Sequence, residues 1–426
     1  MAIESISALQ VFDSRGFPTV ECSVVLSDGS TGSAIVPSGA STGSKEALEL
    51  RDEGDAYHGK GVGRAIANIV DIIAPALQGK DEANQRAIDD LLKELDGTDN
   101  KGKLGANATL AVSLAVAKAA AAAKREPLYQ HVAGLVGNSS FTLPMPQLNI
   151  LNGGKHASGS TDIQEFMIIP IGAKDFTHAL RIASEVYHEL GDVLKSKGYA
   201  TTVGDEGGFA PNVRGGAEEA LDLICSAVTN AGYALREDVV LGIDVASSEL
   251  YKDGVYDFSR EGAQYSADEL IDRYVKLVDS YPILSIEDGL AEDDWSHWNR
   301  LNEQLGDRVQ LVGDDLFVTN VRLLEEGIRQ RSANAILLKP NQIGTLSETI
   351  DAFSAAKEAG WRTIISHRSG ETEDVTIAHL AVGLNTGQIK TGSFARSERI
   401  AKYNELLRIA AGLESSTLAN PFQMEH

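Results

Sequence analysis

Cysteine is nearly absent from this chain of 426 residues. The two present, Cys22 and Cys225, cannot build a disulfide framework and show no metal-holding spacing. That usage fits a reducing compartment. Positive charge is also scarce: 38 Lys and Arg stand against 61 Asp and Glu, a net charge of −23. A surface of that sign repels phosphate backbones and anionic membranes, which excludes nucleic acid as a main partner. Long apolar runs are missing too. The most apolar stretch, 109–123, is broken by Ser113 and Lys118 and falls short of the ~20 residues a spanning helix needs, so no membrane insertion is expected. Met1-Ala2-Ile3-Glu4-Ser5 has neither the basic start nor the apolar region of a secretory signal. These absences point to a cytoplasmic protein. An anionic small molecule stays compatible with the charge, provided cations cluster locally.

The chain has material for a large core, at 43 % hydrophobic residues, and length for two or three domains or one large barrel. Residues 3–36 read as strands, with Val20, Cys22, Val24 and Leu26 alternating and Asp28-Gly29 as a hairpin turn. Ser38 to Lys45 is a loop rich in glycine and hydroxyls, leading into a helical stretch from Glu46 to Arg51. Its spacing fails the phosphate-loop pattern, and Gly61-Val62-Gly63 fails the dinucleotide pattern because Ile66 occupies the third glycine position. Helices are expected near 62–77, 81–95 and 107–125, the last buried all round. Together these make an N-terminal α+β domain, 1–135, and the composition shift at 134–146 opens a second domain, 141–426.

In that second part, apolar runs repeatedly end on an ionisable residue. Runs 239–243, 283–286, 309–313, 335–338, 363–366 and 388–389 are followed by Asp244, Glu287, Asp314, Lys339, His367 and Lys390. The intervals are 43, 27, 25, 28 and 23 residues, and one βα unit of a barrel takes about 25–30. Strand–helix repetition implies parallel strands, so the expected fold is α/β with a C-terminal (β/α)8-type barrel. An open doubly wound sheet is the structural rival, but it would not converge so many strand ends on one point.

At the carboxyl end of such a barrel Asp244, Glu287 and Asp314 share one site, where three carboxylates call for a hard cation, Mg²⁺ before Mn²⁺. Lys339, His367, Arg368, Ser369 and Lys390 supply the positive cluster, and Arg368 offers forked donors for phosphate or carboxylate. Pro340 ends the strand and leaves Lys339 at its tip, where burial should lower its pKa toward that of a usable base. Glu165, and Glu206 between glycines, are further carboxylates, and one kept protonated by its neighbours can serve as an acid.

With these residues in view, the chain resembles the enolases along essentially its full length. The resemblance rests on Ser38-Gly39-Ala40-Ser41-Thr42-Gly43, Asn152-Gly153-Gly154-Lys155-His156-Ala157, Gly204-Asp205-Glu206-Gly207-Gly208, Ser285-Ile286-Glu287-Asp288, Gly313-Asp314-Asp315-Leu316, Leu338-Lys339-Pro340-Asn341-Gln342-Ile343-Gly344, Ser366-His367-Arg368-Ser369-Gly370-Glu371-Thr372 and Gln388-Ile389-Lys390-Thr391-Gly392. Lys155 and residues 158–160 fall where relatives vary. The resemblance implies the enolase variant of the barrel and the glycolytic, reversible dehydration of 2-phospho-D-glycerate to phosphoenolpyruvate. It implies two Mg²⁺ per site with substrate bound, the first on Asp244, Glu287 and Asp314 and the second helped by Ser41. Lys339 would be the general base and Glu206 the general acid, while His156, Gln164, Glu165, His367, Arg368, Ser369 and Lys390 position the substrate. Bound Mg²⁺ and Lys390 should then depress Lys339 further.

The resemblance also implies a homodimer or octamer, of bacterial type by compactness. Family members are reported at cell surfaces, bound to host proteins. Gln423-Met424-Glu425-His426 lacks the terminal lysines linked to that role. An acid-sugar dehydratase on the same barrel and a non-catalytic scaffold are the competing functions.

Overall fold

Alternation of apolar and polar residues builds the first sheet. In this computed structural model, which describes residues 1–422, β1 (Ile3–Phe12), β2 (Pro18–Leu26) and β3 (Thr31–Ile35) form an antiparallel meander in that order. Val20, Cys22, Val24 and Leu26 all lie on its buried side. Gly29 takes a positive φ of +87° at the turn, where the Asp28 carboxylate accepts the Ser30 N–H at 2.9 Å. The sheet lies against the helix Ala106–Lys124 so closely that a Cβ at Gly32 would sit 2.2 Å from the Ala119 nitrogen.

That helix corrects one expectation. At 19 residues it is long and apolar enough to cross a membrane by those two measures. Its place is nevertheless the core: 15 of its residues are buried between the sheet, the neighbouring helices and the barrel. A second correction concerns 46–51, which is irregular rather than helical. Its backbone is committed elsewhere: the Ala47 N–H bonds the Gln342 carbonyl at 2.8 Å, and Leu48 bonds Asn100 at 2.7 Å. Asn107 brackets Leu50 with both amide atoms. Helical turns here would forfeit all of these bonds.

After the short strand β4 (Thr142–Leu143) the chain enters a closed eight-stranded barrel. Its first strands are β5 (Met145–Asn152), β6 (Glu165–Ile169) and β7 (Val240–Asp244). A small antiparallel sheet of β8 (Tyr251–Lys252), β9 (Val255–Phe258) and β10 (Ala263–Tyr265) follows, and it accounts for the long 43-residue interval. The barrel continues with β11 (Ile283–Glu287), β12 (Gln310–Gly313), β13 (Ala335–Leu338), β14 (Arg362–Ser366) and β15 (Gly387–Lys390), which closes against β5. β16 (Thr417–Leu418) pairs with β4.

The expectation of parallel strands holds for seven of the eight. β6 runs antiparallel to both β5 and β7. The β5–β6 connection has no helix longer than one 3₁₀ turn, and a connection without a crossover helix favours an antiparallel return. Residues 423–426, with the chain-end residues noted above, lie outside the described part.

Below the carboxyl ends, the barrel interior carries a buried amide layer. Gln147 donates to Gln388 at 2.7 Å, Gln388 to Gln310 at 2.8 Å, and Gln310 to Ser285 at 3.1 Å. Each buried polar atom named here has a partner, so the layer can sit under a charged site without an orphaned group.

Candidate active site

Strand geometry brings the ionisable residues together. β7, β11 and β15 end on Asp244, Glu287 and Lys390, while Asp314, Lys339 and His367 each follow a strand by one residue. A cleft of about 400 Å³ at this end is lined by Ser41, His156, Gln164, Glu165, Glu206, Asp244, Asp314, Lys339, His367, Arg368, Ser369 and Lys390. Glu287 does not reach the lining but touches it through Lys390.

The Lys390 ammonium is the electrostatic centre. It lies 2.8 Å from Glu287 Oε1, 3.1 Å from Asp244 Oδ2 and 3.1 Å from Glu165 Oε2, with 2 % of its side chain exposed. Burial opposes its charge, but these carboxylates hold its pKa well above the ordinary range. One ammonium cannot balance three carboxylates. Burial, then repulsion from Asp244, accordingly pushes the Glu287 carboxyl well above its usual range.

Lys339 donates from Nζ to Asp314 Oδ2, and Gln342 Nε2 donates to Asp314 Oδ1 at 2.8 Å. Burial works against its charge, yet Asp314 more than offsets that, and the Lys339 pKa is raised. This reverses the expected depression. Arg368 and Lys390 do push it down, as expected of nearby cations, but Asp314 is closer. Asp244, Glu287 and Asp314 are thus divided between two ammonium groups, Lys390 taking two and Lys339 the third.

On the other side, His156 Nδ1 lies 3.5 Å from Glu165 and 3.7 Å from Glu206. Burial and the charge of Glu206 raise Glu165 well above a normal carboxyl. Burial would raise Glu206 as well, but the facing His367 and His156 rings outweigh it and hold the group well below. The surroundings therefore push the two carboxyls of the pair apart, Glu165 upward and Glu206 downward.

Arg368 is already engaged. Glu46 receives both of its terminal nitrogens at 3.0 Å, Asn341 Oδ1 lies at 3.1 Å, and the Ser41 carbonyl at 3.1 Å. Ser369 Oγ accepts the Ala40 N–H at 2.7 Å, and Ser41 Oγ donates to Glu249 at 3.1 Å. These bonds fold the loop Ser38–Lys45 over the cleft mouth. A Cβ on Gly39 would lie 2.1 Å from an Arg368 nitrogen, so a side chain there would displace the guanidinium.

Sequence reasoning passed over several residues. Asp288 and Asp315 line the cleft, adjacent to Glu287 and Asp314 in motifs already recognised, so the signal was available. Asp288 takes φ +43° and accepts the N–H groups of Asp314 and Asp315, each at 2.9 Å. Glu46 and Arg399 left no local signal.

Two groups bring ligand atoms within 4.8 Å of one another: Asp288 with Asp314 and Asp315, and His156 with Glu165 and Glu206. The all-oxygen set of Asp288, Asp314 and Asp315 fits a hard divalent cation, whereas of the expected trio Asp244, Glu287 and Asp314 only Asp314 belongs to such a group among the described residues.

A two-domain protein with a closed α/β barrel, its acids, bases and ligand carboxylates gathered at the carboxyl ends of the strands, belongs to the class of barrel enzymes. Residues 3–132 match the family model for the enolase N-terminal domain, and residues 140–423 match that for the enolase C-terminal TIM barrel domain. The chain belongs to the enolase family, which places it among the lyases of the enolase superfamily and implies use of a divalent metal.

Proposed function

We propose that the protein is a Mg²⁺-dependent phosphopyruvate hydratase, dehydrating 2-phospho-D-glycerate reversibly to phosphoenolpyruvate. The observation that carries the reading is one buried cleft holding Lys339 and Lys390, the Glu165–Glu206 pair and Arg368 around a surplus of carboxylates. In this reading Asp244, Glu287 and Asp314 hold one Mg²⁺ and Ser41 helps hold a second. Bound Mg²⁺ supplies positive charge against which negative charge can build on the substrate carboxylate. A Lys or His base beside Mg²⁺ is a statement about the superfamily rather than a result for this chain.

Lys339 takes the C2 proton. It can do so only as the neutral amine, with Asp314 otherwise engaged, because pairing with Asp314 keeps it protonated. Glu206 gives a proton to the departing C3 hydroxyl, so it must first gain one against the neighbours that hold its carboxyl low in the ligand-free protein. Arg368 and Ser369 suit the phosphate, and Lys390 the carboxylate. His156, Gln164 and His367 complete the lining and orient the bound substrate. The division into 1–135 and 141–426, a cytoplasmic glycolytic role and a homo-oligomer, dimer or octamer, belong to the same reading on family grounds.

The test follows enol absorbance in the ultraviolet with 2-phosphoglycerate, with and without a chelator. Turnover that is lost on chelation and restored by Mg²⁺ is expected; indifference to the chelator contradicts the metal site. Lys339→Ala should lower kcat by about 10³-fold and abolish solvent exchange at C2 while metal binding persists. Normal exchange in that variant removes Lys339 as the base. An unphosphorylated acid sugar turned over in preference to 2-phosphoglycerate would favour the competing dehydratase.

A further inference from the structure

Arg399 lies outside the cleft lining and is completely buried, on the first turn of the helix Ser397–Gly412. Its guanidinium serves two loops at once. One terminal nitrogen lies 2.6 Å from His367 Nδ1 and 2.5 Å from the Arg368 carbonyl. The other lies 2.6 Å from the Ser369 carbonyl and 3.0 Å from the Asp205 carbonyl. The nearest carboxylate, Glu398, is 3.6 Å from Nε. A buried charge is thus directed mainly at neutral acceptors, which is costly unless their arrangement matters.

The chemistry of the contact with His367 has one solution. A guanidinium has five donors and no acceptor, and it does not lose its proton in a protein. At 2.6 Å, Nδ1 of His367 must therefore present its lone pair, and the single proton of the neutral ring sits on Nε2. A second proton, on Nδ1, would face the guanidinium directly. Nε2 lies 3.2 Å from Glu206 Oε2, off the line of a well-formed hydrogen bond and otherwise without a partner. It is a buried donor available to the cleft. Asn149 Nδ2, at 3.0 Å, is a second donor to the same Glu206 oxygen.

We propose that Arg399 is a positioning residue for Glu206 and His367: by occupying Nδ1 it holds His367 as the neutral Nε2–H tautomer, a permanent donor toward Glu206 and the cleft. His367 then cannot take a proton from Glu206, and once that carboxyl has gained one the proton is kept for the substrate. Burial and Arg399 also push the His367 pKa down, against the pull of Glu206, in agreement with a neutral ring. The tautomer stands on the contact geometry alone; its consequence for turnover rests on the reading of Glu206 as the acid.

The experiment uses the full-length protein labelled with ¹⁵N-histidine. Long-range ¹H–¹⁵N correlation reports which ring nitrogen carries the proton, and His367→Gln identifies the relevant signals. At neutral pH the expected pattern is a bare Nδ1 and a protonated Nε2. A proton on Nδ1, alone or with one on Nε2, overturns the proposal. Arg399→Met should release the tautomer into a mixture and lower kcat roughly tenfold or more, part of the 10²–10⁴ a general acid contributes, with KM changed less. Arg399→Lys, which keeps one donor, should restore the Nε2–H pattern and recover most of kcat. An unchanged tautomer in a folded Arg399→Met protein overturns the proposal as well. Should that variant not fold, the unmodified protein and Arg399→Lys still decide. Failure to turn over 2-phosphoglycerate at all would defeat the proposed reaction while leaving the tautomer result intact.

Discussion

Lys390 shows how much one side chain carries here. Its ammonium holds Glu165, Asp244 and Glu287 within 3.1 Å, so removing it strips three buried carboxyl groups of their common cation. Lys390→Met should cost about 3–5 kcal/mol in the metal-free protein, read from urea denaturation, and added Mg²⁺ should recover part of the loss. An unchanged midpoint would mean that the carboxylates are not charged there. Because the folded pKa is raised, this stabilisation is fully present below the ordinary lysine value of 10.5 and disappears only as pH climbs through the folded value. His367 behaves in the opposite sense. Burial first, with Arg399 adding to it, lowers its pKa from 6.5 to about 4, so the unfolded chain binds more protons between those values. Its contribution is therefore present above pH 6.5 and lost as pH falls toward 4. NMR titration of the ring should place its midpoint near 4, and Glu206→Gln, which removes an upward influence, should move it lower. A midpoint near 6.5 would contradict the burial argument.

At the level of elements, the strand ends were readable because a buried parallel strand leaves no ambiguity. An apolar run that stops at a charge must stop where the barrel opens to solvent or ligand. Segment 46–51 was not readable, since its conformation is set by Gln342, Asn100 and Asn107, which are remote in sequence. Close approach of sheet and helix is another such feature. Gly32 meets backbone atoms of Ala115 and Ala119 at 2.3 and 2.2 Å from a hypothetical Cβ. Neither can swing aside as a side chain would. Gly32→Ala should destabilise by at least about 3 kcal/mol, the upper part of the usual cost of overpacking, in urea denaturation. A loss below ~1 kcal/mol would show that sheet and helix can separate freely.

Across the whole molecule, the N-terminal domain and the barrel are joined by buried polar contacts. Lys118, from the long core helix, lies 2.7 Å from Asp374, whose carboxylate also accepts the Ile35 N–H at 3.0 Å. Ser38 pairs with Gly370 beside the cleft. Breaking the pair with Lys118→Met leaves the partly buried Asp374 with its N–H donors but without its cation, at a cost of about 1–3 kcal/mol. With the contact intact the two domains should unfold in one step; two separated transitions of the unmodified protein in calorimetry would show that the contact does not couple them. Composition, charge sign, strand endings and motifs were enough to identify the barrel, the family and most of the residues of the cleft, though not Asp288 or Asp315, because each depends on local pattern or on residue type. Partnership was not contained in them. Which ammonium neutralises which carboxylate, which of Glu165 and Glu206 is pushed up, why Lys339 is raised rather than lowered, and why β6 runs backwards all depend on distances between residues far apart in the chain. Electrostatic energy follows separation and burial, and only the folded chain sets either.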